Sequence, residues 1–289
     1  MFLKYLLSGL IVGMLSLQTQ AHAKDIDLVV LNMKGKGATT KQWKPLAKHI
    51  GEEIGQKVAF TMLKASNFVA RAGGHSILLT NPVTAVVLED KGEFEIVATL
   101  NHAKLGTSLA GVIIVPVDSP ITDLKGLAGK KVGVVNKKLA AGGFLFQANE
   151  LLDAGLVSPK DFKNFQEIFN QKAIVKRVIT KGLDAGFIRA GMLSQLKGSE
   201  DVSKVRILNR MDEGLHFPRS TAIYPHWAAL INKNVPAAVK AKIINSLMDI
   251  KPGSPVAKSG KMKGFVPASD YSGIKAIMKR MDVYKFTHK

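Results

Sequence analysis

Cysteine is absent from this 289-residue chain, which excludes a disulfide framework, a thiolate zinc site, an iron–sulfur cluster and a cysteine nucleophile. Low-complexity tracts are also lacking. With eleven prolines and a mean hydropathy of +0.11, the composition excludes a disordered, collagen-like or coiled-coil chain. Acidic residues are scarce, 22 against 41 Lys and Arg, which leaves a net charge of +19. A chain this basic meets an anionic partner or steers a small anion toward itself. No G-x-S-x-G elbow or H-E-x-x-H motif occurs, and the seven histidines never fall at metal-ligand spacing beside a carboxylate. A non-enzymatic protein without metal or other cofactor is expected. His216 and His226 flank an aromatic loop and read as hydrogen-bonding loop residues rather than half of a metal site.

One long apolar run is present, at the N-terminus. Lys4 opens a short positive region, Tyr5 to Leu17 is almost uninterrupted apolar, and Ala21-His22-Ala23 places small residues where a signal peptidase reads. The run is shorter than the roughly 20 residues that cross a bilayer. Residues 1–23 are therefore expected to be a signal peptide cleaved after Ala23, giving a periplasmic protein that begins near Lys24. Losing Lys4 lowers the charge by only one. An exported protein rarely meets nucleic acid, so none is expected as partner; the basic surface faces an acidic partner, a small anion or, peripherally, an anionic membrane face.

From Lys24 onward β-branched runs alternate with helical patterns, the signature of an α/β fold with a largely parallel sheet. Strands are expected at Asp27–Asn32, Lys57–Leu63, Ile77–Leu79, Phe94–Leu100 and Gly111–Val115, with helices at Lys41–Ile54, Asn67–Ala72 and Pro82–Asp90. The alternation restarts after the turn-rich Pro116–Gly129. Strands at Lys131–Val135, Phe165–Phe169, Ala185–Ile188 and Val205–Leu208 then alternate with helices at Gly142–Ala154, Lys172–Thr180 and Met192–Leu196. His216–Trp227 reads as loop, and Pro236–Met248 and Tyr271–Met281 as amphipathic helices. Two lobes are expected: residues 24–115 begin the first, 116–217 form the second, and 218–289 return as a segment and C-terminal helices packed on the first. Ligands of such folds lie beyond the carboxyl ends of the strands.

That rule selects the candidate ligand residues. The turn Met33–Thr40 carries Lys34 between a strand and a helix, where backbone amides and ammonium groups cradle anions. Gly142-Gly143 occupies the same place in the second lobe. Thr80 and Asn81 end a strand, although Asn81 before Pro82 is also a good helix cap. Arg189 follows the strand Ala185–Ile188, and a guanidinium there can grip an oxyanion through two parallel hydrogen bonds. Ser220, Thr221 and Tyr224 add hydroxyls along a segment expected to cross between the lobes.

Four segments in order carry a family resemblance: Ile121–Val132 (ITDLKGLAGKKV), the helix from Gly142 to Gly155, Leu183–Arg189 (LDAGFIR) and Ser220–Trp227 (STAIYPHW). Together they resemble the periplasmic phosphonate-binding-type proteins, and the last two are similar to the branch found as sensor domains of two-component kinases. The resemblance implies a two-lobed type 2 periplasmic binding-protein fold with a ligand cleft between lobes. It also implies a small anionic ligand, such as a phosphonate, phosphite, phosphate or sulfur oxyanion, and a partner that is an ABC permease or a membrane sensor protein. A monomer is expected. Two departures stand out: Leu139-Ala140-Ala141 lies where the family usually has serine or threonine hydroxyls, and Val83, Thr84 and Ala85 supply no ring after Pro82.

Overall fold

The computed structural model describes residues 25–156, 161 and 164–283; the expected signal segment and its cleavage site lie outside them. Along the chain, β1 (Asp27–Asn32), α1 (Lys36–Ile54), β2 (Ala59–Lys64), α2 (Phe68–Arg71), β3 (Ile77–Thr80), α3 (Pro82–Asp90), β4 (Phe94–His102) and β5 (Ser108–Leu109) come first. Then follow β6 (Gly111–Pro116), β7 (Val132–Val134), α4 (Phe146–Asp153), β8 (Phe165–Glu167), α5 (Gln171–Ile179), β9 (Ala185–Arg189), α6 (Met192–Leu196) and β10 (Val205–Leu208). The chain finishes through β11 (Tyr224–Pro225), β12 (Ala228–Asn232), α7 (Ala237–Met248), α8 (Pro255–Gly260), β13 (Met262–Pro267) and α9 (Ser272–Val283).

Two main sheets result, one per lobe, with a two-stranded sheet of β5 and β11 besides. The first has the order β13-β4-β12-β3-β1-β2 and the second β10-β6-β9-β7-β8. In each sheet four strands run the same way, as the sequence expectation of a largely parallel sheet requires: β1 to β4 in the first and β7 to β10 in the second. β12 and β13 run against the other strands of the first sheet, and β6 alone runs against those of the second. β6 and β12 are the strands that enter each sheet from the other lobe, and each arrives pointing against its neighbours; β13 follows β12 through α7 and α8 and keeps its direction.

Burial explains why these segments are strands. All four residues of β3, all six of β6 and all five of β12 are buried, as continuous apolar runs covered on both faces must be. β12 sits between β3 and β4 in the middle of the first sheet, yet no strand was expected there, because Ala228–Asn232 has neither alternation nor a β-branched majority. β13 and the short β5 and β11 were likewise not expected. The boundary expected after Val115 moves back: β6 hydrogen-bonds to β9 and β10, so the first crossing precedes Gly111. α1 begins five residues earlier than expected, at Lys36, because Gly35 adopts φ 84 and turns the chain directly from the loop into the helix.

The crossings lie side by side. Ser220 donates from Oγ to the Leu208 carbonyl (2.6 Å) and accepts from Ile113 N–H (2.9 Å), while Thr221 Oγ1 accepts from Gly111 N–H (2.9 Å). β5 and β11 then pair antiparallel. The C-terminal helix α9 packs on α3 of the first lobe and on α4 of the second. No helix among the described residues is long and apolar enough to cross a membrane.

Candidate functional site

Three carboxyl strand ends converge between the lobes. At the end of β1, Lys34 Nζ donates to Gln42 Oε1 (2.9 Å), and Gln42 Nε2 donates to the Gly260 carbonyl (3.1 Å). Gln42 thus ties the β1–α1 loop to the end of α8. There Lys261 terminates the helix with φ 55, a left-handed conformation that costs a non-glycine residue about 1–2 kcal/mol and that helices usually give to glycine. The carbonyl of Lys261 accepts from Ala103 N–H (2.9 Å), which sets Lys261 beside the end of β4.

His102 ends β4. Its Nδ1 accepts from the backbone N–H groups of Lys104 and Leu105, each at 3.2 Å. Its ring stacks on that of His226, with centroids 5.4 Å apart and planes 10° from parallel. His226, just after β11, accepts the Trp227 N–H at Nδ1 (2.8 Å). Both rings are therefore held with Nδ1 bare and the proton on Nε2.

The second lobe contributes Arg189, the last residue of β9. Gln171 Oε1 accepts its backbone N–H (3.0 Å), and its guanidinium donates to Gln195 Oε1 (2.6 Å) and the Ala190 carbonyl (2.9 Å). Beside it, Ala141–Leu145 forms a wide turn with i→i+5 bonding before α4, the kind of local distortion often found at functional sites. Gly142 is closely packed within this turn: a Cβ would stand 3.0 Å from the Ala110 carbonyl oxygen and 3.3 Å from Arg189 Cβ, so a neighbour would have to give by a few tenths of an ångström.

The charges act on one another. Burial, then Lys261 and Arg189, lowers the Lys34 ammonium. Burial, then Arg189, Lys34, Lys261 and Lys104, pushes His102 down to about 4. Burial, His102 and Arg189 push His226 down to about 3, and burial lowers Arg189. No carboxylate appears among these influences, and among the described residues no ion pair joins Lys34, Arg189, Lys104 or Lys261 to an acid. Such a cluster is built to be completed by an anion.

Of the residues expected at the site, Lys34, Gly142 and Arg189 are brought together. Gly143 adjoins them, but a Cβ on it would meet Val135 Cγ2 at 2.5 Å, so it packs inward. Asn81 acts as the cap of α3, accepting from Val83 and Thr84 N–H at 3.0 and 3.1 Å. Thr80 is fully buried, and its hydroxyl has no hydrogen-bond partner. Ser220 and Thr221 are fully buried too, their hydroxyls bonded to the backbone of the crossing strands. Tyr224 stacks on Phe146 (4.2 Å); burial, then Glu150 and Asp153, pushes its hydroxyl up to about 12, and it lies by α4 rather than among the cations. His102, Lys261 and Gln42 were not foreseen. The strand-end rule reaches His102 once β4 is extended two residues; Lys261 and Gln42 carry no local signal.

Two mixed sheets in separate lobes, with an unpaired basic cluster at the facing strand ends, define a solute-binding protein of the type 2 periplasmic class. The comparisons agree. The family model for "ABC transporter, phosphonate, periplasmic substrate-binding protein" matches residues 28–272, and the chain belongs to that family, whose members bind small ligands in the periplasm and work with ABC permeases. Among solved structures, XAC2383 from Xanthomonas citri bound to chloride ion superposes with a TM-score of 0.74 at 17% identity, over 90% of this chain and 99% of that one. PhnD1 from Prochlorococcus marinus in complex with methylphosphonate gives 0.69 at 12% identity, over 90% and 99%. In sequence, the chain is 25% identical over 238 residues to the tetrathionate sensor histidine kinase TtrS of Salmonella typhimurium, covering 79% of this chain and 40% of the kinase. It thus spans less than half of that relative's length.

Proposed function

We propose that the protein captures a small oxyanion between its lobes and hands it to an ABC permease, without chemical turnover. The observation that carries this reading is the convergence of Lys34, Lys261 and Arg189 with no compensating carboxylate. Lys34, Lys261 and His102 stand on elements of the first lobe and Arg189 on the second, so their repulsion opposes closure of the empty cleft. An anion between them reverses the sign of that interaction, and binding energy becomes closing energy. Gly142 beside Arg189 completes the second wall. The relatives named above are bound to, or named for, anions: chloride, methylphosphonate and tetrathionate.

Processing after Ala23 would deliver the protein to the periplasm as a monomer. A second reading rests on the similarity to a sensor kinase: occupancy of the cleft is read by a membrane partner through contact. A permease and ATPase encoded beside the gene mark transport, and a kinase marks signalling. Calorimetric titration with phosphate, phosphite, methylphosphonate, sulfate, thiosulfate and tetrathionate tests the shared premise. Saturable binding of any of these is expected; silence across the panel overturns the anion-receptor reading.

A further inference from the structure

Resting on the oxyanion reading, one more property follows from which hydrogen-bond partners the cluster still has to offer. Every side-chain carbonyl within it is already engaged by the cluster's own donors: Gln42 Oε1 by Lys34, Gln195 Oε1 by the Arg189 guanidinium, Gln171 Oε1 by Arg189 N–H. The Ala190 carbonyl is taken by Arg189 as well. Gln147 Oε1, which lacks a donor, is enclosed against the backbone of Gly111, where a Cβ would stand 2.8 Å from it. The buried hydroxyls of Ser220 and Thr221 belong to the crossing strands. Thr80 Oγ1, which like Gln147 Oε1 lacks a partner, is fully buried; what remains unengaged beyond these enclosed atoms is of one kind. Lys34, Lys261 and the guanidinium offer N–H groups. The two imidazoles have their Nδ1 atoms held by backbone amides, and among the described residues neither Nε2 makes a hydrogen bond.

We propose that the stacked His102–His226 pair presents neutral Nε2–H donors which, with Lys34, Lys261 and Arg189, form an all-donor site that selects oxyanions bearing no proton over those that retain one. A sulfur oxyanion such as sulfate, thiosulfate or tetrathionate presents acceptors only. Inorganic phosphate, and the monoanions of phosphite and methylphosphonate, carry an O–H that must find an acceptor. In this site each side-chain carbonyl already accepts one of the cluster's own donors, so the O–H must compete for a second lone pair held beside a cation, and a donor left poorly paired in a buried site is costly. The lowered basicity of both rings supports the same view, since it keeps them uncharged at neutral pH. The groups that act on His102 are Arg189, Lys34, Lys261 and Lys104, and those on His226 are His102 and Arg189, all cations or a neutral ring.

The test is titration of the purified protein at pH 6.5 and 8.5, followed by intrinsic fluorescence, with Trp227 next to His226 as the reporter. Sulfur oxyanions are expected to bind at least about tenfold more tightly than inorganic phosphate at both pH values. Their affinity should change little with pH, whereas that of methylphosphonate should rise between the two pH values as its second proton is lost. Phosphate or the methylphosphonate monoanion binding as tightly as the sulfur oxyanions overturns the all-donor selection and leaves the anion receptor standing. Silence from every anion overturns the receptor itself. The His102→Asn variant keeps an acceptor for the Lys104 and Leu105 amides but removes the Nε2 donor, and should weaken the sulfur oxyanion by about 5- to 50-fold; unchanged affinity excludes His102 from the donor set. Nitrogen-15 spectra of the imidazoles at pH 7 provide a readout independent of the variant: Nε2–H tautomers support the proposal, and an Nδ1–H tautomer or imidazolium at either ring contradicts it.

Discussion

Gly142 and Arg189 are packed backbone against side chain, so that a Cβ on the glycine would stand 3.3 Å from Arg189 Cβ and 3.0 Å from the Ala110 carbonyl oxygen. At these distances a neighbour must give by a few tenths of an ångström, and a side chain gives more readily than the backbone of the crossing segment. Gly142→Ala should therefore displace the guanidinium from the cleft. The expected result is an anion affinity lowered by about tenfold, with a stability loss of about 1–3 kcal/mol from overpacking. Titration and urea unfolding separate the two. Unchanged affinity in a destabilised protein would show that Gly142 serves packing alone.

Arg189 is the main charge of the second lobe at the site. Its side chain is already oriented by Gln195 Oε1 and the Ala190 carbonyl, so little rotamer freedom is left to lose on binding. Losing a hydrogen bond to a charged group costs about 1.5–3 kcal/mol, or about 10- to 150-fold in affinity. Arg189→Ala should show a loss in that range by calorimetry, and Arg189→Lys should recover only part of it, because an ammonium cannot hold both carbonyls and the ligand in one plane. Wild-type affinity in Arg189→Ala removes this residue from the site.

Gln42 makes a finer test of positioning. It joins Lys34 to the carbonyl of Gly260, next to Lys261, and its side-chain amide is engaged at both ends. Gln42→Ala should lower affinity about two- to fivefold by freeing Lys34, while Gln42→Glu should bind still more weakly, because it places in the cluster the carboxylate it lacks. Raising the salt concentration should weaken ligand binding by the wild type, as screening of a partly exposed cluster requires. Tighter binding by Gln42→Glu would contradict the view that an uncompensated positive field captures the ligand.

Local pattern reached β1, β3, α3, β6 and α6 nearly to the residue, because continuous apolar runs and a cap such as Asn81-Pro82 are written within a few positions. It reached Lys34, Gly142 and Arg189 through one rule, that ligands lie at carboxyl strand ends. The rest depended on long-range pairing. β12 is a strand because β3 and β4 flank it, not because Ala228–Asn232 favours one. Ser220 and Thr221 looked like ligand hydroxyls by composition, yet the backbone of β6 takes them up. Lys261 reaches the site only because α8 ends against β4, some 160 positions away in the chain, and Gln42 only because α1 packs on α8.

The buried histidine at the crossing should make stability depend on pH. His226 is held neutral in the fold, pushed down to about 3 from 6.5 by burial, then by His102 and Arg189. The unfolded chain therefore binds one more proton than the folded one between those values, and stability falls as pH drops through that window. From pH 7 to pH 4 the loss is on the order of 3 kcal/mol for this one group. Urea unfolding in low-salt buffer should show a steeper decline for the wild type than for His226→Gln; parallel curves would mean that His226 is protonated without cost in the fold.

The last prediction concerns α9, which touches both lobes. Lys275 pairs with Asp90 of α3 in the first lobe, whereas Arg280 donates to Asn149 Oδ1 (2.9 Å) and Asp153 Oδ1 (2.6 Å) of α4 in the second. Exposed pairs of this type contribute about 0.2–1 kcal/mol, too little to hold a fold. A hinged protein is more sensitive. Because α9 belongs by Lys275 to one lobe and reaches the other by Arg280, the Arg280 contacts survive only while the lobes keep their present relation. Removing them shifts the balance between arrangements by their full energy, about 1.4- to 5-fold, and the anion affinity must shift by the same factor. Arg280→Ala should thus alter affinity about 1.4- to 5-fold with almost no change in melting temperature, while Lys275→Ala, which breaks a pair inside one lobe, should leave affinity unchanged. Equal effects of the two variants would show that α9 moves with neither lobe in preference and plays no part in closure.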